Sequence, residues 1–342
     1  MKKDYLWDRS GEPDPEIERL ENQLRVFRYD RAMPDLREWP MAEHQIPWHA
    51  GIPTWFAGRL SYVAIAVAAV VLLCVGVWWH LGGRQGYEVV SLDGTPVIGT
   101  ARVSGEGRLG VGGWLETDAV SRARIRVGRI GQVEVEPNTR VGLVQARPAE
   151  HRMSLDWGTM HAYIWAAPRQ FFVNTSSAEV VDYGCSYTLK VENDGTGTLI
   201  VKAGWVAFEK GGRESFVPAG AMCKTTAGIG PGTPFRADAS VAFSEALEAF
   251  DFEPGPAVSR ATALSAVLAE ARRGDALTLW HLLFRVSEAE RTAVYERLSA
   301  LIPPPPGVTR ERILARDSKA LDLWWNELGL GGIEWWRMWK MP

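Results

Sequence analysis

Cysteine is scarce in this chain. Three occur in 342 residues, Cys74, Cys185 and Cys223, with no CxxC pair and no Cys/His cluster. That excludes a disulfide scaffold and a zinc site of the usual spacing. No excess of one charge sign exists either. Lys and Arg number 38 against 41 Asp and Glu, for a formal net charge of −3. The signs are interspersed, so the chain lacks the electrostatic footprint of a nucleic-acid binder. Catalytic patterns are also missing: no nucleophile elbow, no paired carboxylates at a defined spacing and no cofactor fingerprint. The glycine run Gly110-Val-Gly112-Gly113 has no helix after it to hold a phosphate, and reads as a strand turn. His151 and His161 are separated by an expected turn, with no acid or thiol placed to complete a triad or metal site. The expectation is a non-enzymatic chain with no cofactor and no metal.

Long hydrophobic runs are absent but for one, and that one organises the rest. Residues 60–81 read LSYVAIAVAAVVLLCVGVWWHL, without a single Asp, Glu, Lys or Arg. As a helix it extends roughly 33 Å, enough for a hydrocarbon core of about 30 Å. Trp78 and Trp79 stand near its far end, where indoles favour the headgroup level. A buried core helix is the bland alternative. A cleaved signal peptide fits poorly, because 59 residues precede the run and Trp occupies the place of small cleavage-site residues. The run is read as one membrane span. Positive charge beside it is balanced, Arg59 against Arg84 with Arg37 and Arg102 farther out, so charge does not set the orientation.

Residues 1–59 form a head before the span. Asp14-Pro15-Glu16 starts a helix, and Ile17, Leu20, Leu24 and Phe27 follow at helical spacing. The spacing predicts an amphipathic helix over 15–29. Its apolar stripe needs a cover: the head's own Trp39, Trp48 and Trp55, the membrane surface, or a groove on a partner protein. Pro34, Pro40, Pro47 and Pro53 make the remainder an irregular linker.

Period-2 alternation dominates residues 86–234. In 121–128 Arg122, Arg124 and Arg126 take one face and Ala123, Ile125 and Val127 the other. Such a stripe is a solvated sheet face or a docking strip for an acidic segment. Alternation continues over 131–136, 139–145, 159–165, 170–174, 178–182, 186–191, 198–202, 205–209 and 214–217, with Asn193-Asp194-Gly195 marking a hairpin. Ten or more short strands predict a mainly β fold, a sandwich, roll or solenoid. Gly113-Trp114, Trp157-Gly158 and Gly204-Trp205 hint at a weak internal repeat.

Segment 113–223 resembles the FecR family of bacterial regulatory domains. Leu115-Glu116-Thr117 leads to the strand over 123–127, then Val133-Glu-Val and Pro137-Asn-Thr139. Leu155 and Gly158 precede Phe172-Val173-Asn174-Thr175 and Ala178-Glu179-Val180-Val181. Gly184-Cys185-Ser186-Tyr187 stands where the family has a Gly-Thr-x-Phe turn, and Cys185 departs from it. Val201-Lys-Ala-Gly204-Trp-Val206 and Val217-Pro-Ala-Gly220 complete the match, over about a third of the chain. The resemblance implies one inner-membrane span, a cytoplasmic head and a periplasmic β domain. It also implies regulation of an extracytoplasmic-function sigma factor, although the head lacks the fuller cytoplasmic domain of well-known members.

Helical spacing returns over 238–342. Helices are expected at 240–252 and 258–273, then a short one capped by Asp275 that carries Leu279, Trp280, Leu282 and Leu283. Ser287 and Glu290 form a capping box for a helix to 301, which the prolines 303–306 end. Further turns are expected over 309–328. Six of the 16 Trp lie at or after Trp280, and Trp335-Trp336-Arg-Met-Trp339-Lys340 suits either bundle packing or a membrane interface.

An oxidising compartment makes Cys185 and Cys223 a candidate disulfide, closing a loop of about 38 residues at a gain of about 3 kcal/mol. The reading is a single-pass membrane regulator with a protein partner, a sigma factor or an envelope protein, and no nucleic acid. An envelope scaffold or surface-binding module anchored by the span is the alternative.

Overall fold

A computed structural model describes residues 86–252 and 259–330. The 60–81 run, the head with Ile17, Leu20, Leu24 and Phe27, and the 335–340 aromatic end lie outside the described residues. Among the described residues no helix is long and apolar enough to cross a membrane.

Alternating burial makes nearly every segment of 86–236 a strand. First come β1 (Gly86–Asp93), β2 (Val97–Ile98), β3 (Ala101–Arg102), β4 (Glu106–Gly110), β5 (Trp114–Thr117) and β6 (Arg122–Val127). Then follow β7 (Gly131–Val135), β8 (Thr139–Arg147), β9 (Glu150–Ile164), β10 (Phe171–Asn174), β11 (Glu179–Asp182) and β12 (Ser186–Val191). The last are β13 (Gly197–Ala203), β14 (Trp205–Lys210), β15 (Arg213–Pro218), β16 (Ala221–Thr226), β17 (Gly230–Pro231) and β18 (Phe235–Arg236).

They pair into two sheets that share one strand. The first runs β4-β1-β6-β7-β9-β12-β13-β16 and ends on β17 and β18. The second runs β3-β2-β5-β8-β9-β10-β11-β14-β15. Every pairing is antiparallel except β9 with β10. One face of each sheet feeds a common core of residues such as Leu115, Ile125, Leu155, Met160, Leu189 and Phe208.

The shared strand explains why its alternation is hard to read. His151, Met153 and Leu155 are buried in its first half, and Met160, Ala162 and Ile164 in its second, so the parity flips between them. The flip occurs at Gly158, whose φ of 96° belongs to the left-handed region. A Cβ there would stand 2.5 Å from the Thr139 Cα. No turn divides the two histidines, contrary to the sequence expectation; a bulge does, and it hands the strand from one sheet to the other. The 193–195 hairpin is present, with the Gly195 N–H donating to the Glu192 carbonyl at 3.0 Å.

Helices follow the sheets: α1 (Val241–Phe252), α2 (Arg260–Glu270), α3 (Ala276–Arg285), α4 (Glu288–Leu301), α5 (Arg310–Leu314) and α6 (Ser318–Glu327). The described tail is therefore mainly β with a helical C-terminal region. The Ser287/Glu290 capping box forms at the start of α4. Asp275 occupies the N-cap position of α3, as expected, but its side chain makes no capping bond there. Its carboxylate instead accepts the Arg272 N–H at 2.8 Å, closing a 3-10 turn.

Candidate functional site

Strand β15 is the last of the second sheet, and among the described residues no strand pairs with the other side of its backbone. Such an edge must be covered or it invites pairing with another chain. Helix α3 covers it with side chains. The Phe216 N–H donates to His281 Nε2 at 3.3 Å, while His281 Nδ1 donates to the Leu277 carbonyl at 2.9 Å. Both ring nitrogens are thus engaged as in the neutral tautomer, and burial, aided by Arg285, pushes the His281 pKa down to about 3. Arg285 donates to the Glu214 carbonyl at 2.9 Å, to Ser215 Oγ at 2.6 Å and to Thr233 Oγ1 at 3.0 Å.

A buried acid balances this guanidinium. The Asp251 side chain, 2% exposed, lies 3.6 Å from Arg285 and 2.8 Å from Arg213, and it accepts the Thr233 hydroxyl at 3.0 Å. Asp251 comes from α1, Arg213 from β15 and Arg285 from α3. One network therefore fixes the edge strand against two helices. Aromatic packing surrounds it: Trp205 stacks on Phe216 with centroids 4.9 Å apart, and Trp280 meets Trp325 edge-on at 4.7 Å and Phe284 at 4.8 Å. Three tryptophans, Trp205, Trp280 and Trp325, thus form the joint between sheet and helices.

The hairpin that carries this edge turns at Gly211 and Gly212, with φ of 57° and 81°, the pattern of a two-residue turn. Openings flank its tip. One of about 650 Å³ is lined by Asn174, Glu179, Glu209, Lys210 and Arg213 among others. Two more, about 250 and 440 Å³, lie toward α3 and share Gly212, Glu214, Phe284 and Arg285. The arrangement can hold a ligand against both layers at once. The Cys223 thiol, set against the Gly232 carbonyl beside this network, is inert: it is fully buried, and burial pushes its pKa up to about 12. Among the described residues no three His, Cys, Asp or Glu side chains gather as a metal site.

The candidate residues from the sequence lie elsewhere. Arg122, Arg124 and Arg126 are engaged by the chain's own acids. Arg122 pairs with Glu136 at 2.9 Å, Arg124 with Glu134 at 2.8 Å and Arg126 with Glu88 at 2.9 Å. The acids that meet the stripe are Glu134 in β7, Glu136 just past its end and Glu88 in β1. Cys185 and Cys223 do not pair; both thiols are free and buried. Register gives the reason. Cys223 stands opposite Leu199, and Leu199 opposite Leu189, four residues past Cys185. Two strand spacings and four residues separate them by roughly 16 Å, far beyond the roughly 7 Å a bridge allows. The Cys185 thiol donates instead to the buried Asp182 carboxylate. His151 Nδ1 faces the Tyr87 hydroxyl at 2.5 Å, while His161 meets Thr188 Oγ1 at 2.9 Å and Glu136 at 3.2 Å. Among the described residues the two histidines share no partner.

Sequence reasoning missed Asp251, His281 and Arg285. An unmatched charge inside an apolar helix, as in LTLWHLLFR, was the available signal.

No known family model and no curated protein matches the chain. Two crystal structures of a provisionally assigned anti-sigma factor from Parabacteroides distasonis ATCC 8503 are similar to it at 12% identity and a TM-score of 0.32. The matched region covers 39% of this chain and 63% and 62% of theirs, under two thirds of their length. A likeness of that extent decides nothing about function.

Proposed function

We propose that this chain is a single-pass inner-membrane regulatory protein. Its β domain, in the periplasm, receives a ligand or protein signal at the hairpin of β14 and β15, and its head, in the cytoplasm, acts on a sigma factor or similar regulator. The chemistry is recognition rather than catalysis. Support comes from the charge-free 60–81 run ahead of the β tail and from the FecR-like residues over 113–223. The observation that carries it is the seating of β15. Its backbone is held by His281 and Arg285 from α3, beside openings that reach both layers. A ligand entering there competes for contacts that join helices to sheet, so occupancy becomes displacement.

The test is capture of partners by the full chain and by a chain lacking residues 1–59. Recovery of a sigma-like regulator by the full chain alone supports the reading. Envelope proteins recovered equally by both forms, with no regulator, replace it with the anchored scaffold.

A further inference from the structure

The outer face of the second sheet carries a transverse line that strand register creates. Trp114 pairs with Gly142, Gly142 with Ser154, Ser154 with Asn174, Asn174 with Glu179 and Glu179 with Glu209. Five strand spacings make this row roughly 24 Å long. It joins two openings, about 400 Å³ at the Trp114 end and about 650 Å³ at the hairpin end. Between them the row holds glycine, serine and asparagine, so its floor is low and rich in hydrogen-bonding groups. At Gly142 a Cβ would approach Ser154 Oγ to 2.5 Å, so a larger residue there would crowd the floor.

The walls define the ligand. Carboxylates along the row face guanidinium groups: Arg140 lies 3.4 Å from Glu116 and 3.3 Å from Asp156, Arg152 pairs with Glu150 and Glu179, and Arg169 lies 3.5 Å from Glu209. A polymer of one charge sign therefore meets both signs at close spacing and gains little. Polyhydroxylated chains suit such pairs, since adjacent hydroxyls can donate to a carboxylate and accept from a guanidinium together. Trp114 lines the groove and holds Arg140 4.3 Å from its ring centroid. The guanidinium takes one face of that electron-rich ring, and the opposite face suits the C–H face of a sugar ring.

We infer that the row from Trp114 to Glu209 is a binding trough for a neutral oligosaccharide laid across the strands. This deepens the reading above, because the proposed receiving site forms the far end of the trough. The helices cover β14 and β15 beyond this level, where Trp205 and Phe216 meet Trp325, and leave the row itself half-exposed. A glycan chain in the trough would reach the hairpin tip and its network with α3.

Calorimetric titration of the full-length protein with cellotetraose and chitotetraose tests this, with oligolysine and polyphosphate as charged controls. Binding of either tetraose, weakened about tenfold in Trp114→Ala and also weakened in Asn174→Ala, is the expected result. Arg126→Gln on the other sheet should bind as wild type does. Circular dichroism confirms that each variant is folded, and Ser154→Ala gives a milder second probe of the floor. No binding of either tetraose by folded wild type overturns the glycan assignment and leaves the regulatory reading to the partner-capture test. Binding that survives all three trough variants overturns the location, and preference for oligolysine or polyphosphate overturns neutrality.

Discussion

Replacing Asp182 by Asn should change how stability depends on pH. Asp182 is 1% exposed at the end of β11, and among the described residues no cationic side chain pairs with its carboxylate. The carboxylate accepts the Gly184 N–H at 2.6 Å and the Cys185 thiol, which soften its burial without cancelling it. Burial raises its pKa from 3.8 to about 7. A folded pKa above the unfolded one gives stability that is complete below the unfolded value and is lost as pH rises through the folded one. For a gap of about 3 units the full loss is about 4 kcal/mol, of which about 2–3 falls between pH 5 and 8. His281 works in the opposite sense. Its pKa is pushed down to about 3, so its contribution is present above the ordinary histidine value and is lost as pH falls. The wild-type profile therefore mixes two opposed slopes, and the informative quantity is the difference between variant and wild type. Asp182→Asn keeps an acceptor for Gly184 and adds a donor near the Tyr187 hydroxyl, which is buried with no hydrogen-bond partner among the described residues. Its margin over wild type should widen by about 2–3 kcal/mol from pH 5 to pH 8, roughly 5–10 °C in Tm. Denaturant melts of both full-length proteins across that range measure it. A margin that stays level with pH would show that Asp182 titrates as an ordinary carboxyl and refute the reasoning.

Gly158→Ala should cost about 3 kcal/mol or more, from left-handed strain together with contact against Thr139; thermal melts read the loss. Removing one member of the buried pair, by Asp251→Asn or Arg285→Gln, should destabilise by about 3–5 kcal/mol and loosen α3 from β15, which hydrogen exchange at Phe216 reports. Denatured, unreduced protein should present all three thiols, Cys74, Cys185 and Cys223, to a labelling reagent, and a count of one would restore a bridge. Leu20→Asp with Leu24→Asp should abolish partner capture while membrane insertion persists, and an unchanged capture would remove the head stripe from the mechanism.

Local patterns alone determined much of this protein. Alternation over 122–127, 131–135 and 186–191 reports burial of one face, which is a property of consecutive residues. The Ser287/Glu290 box and the prolines after Ile302 fix α4 for the same reason, since capping and chain termination act within a few residues. Tertiary structure decided what depends on register. Strand β9 looked broken because its parity flips at Gly158, and only a view of two sheets makes the flip a handover. The arginine stripe looked open because its acids sit on other strands, at Glu88, Glu134 and Glu136. Two cysteines looked paired because sequence separation does not give strand spacing. The row from Trp114 to Glu209 is assembled from six strands whose order and offset no local signal contains, and Asp251, Arg213 and Arg285 meet only when α1, β15 and α3 pack. Side-chain periodicity is encoded between neighbours along the chain. Which strand lies beside which is set by the closing of a shared core, and that is where the candidate sites reside.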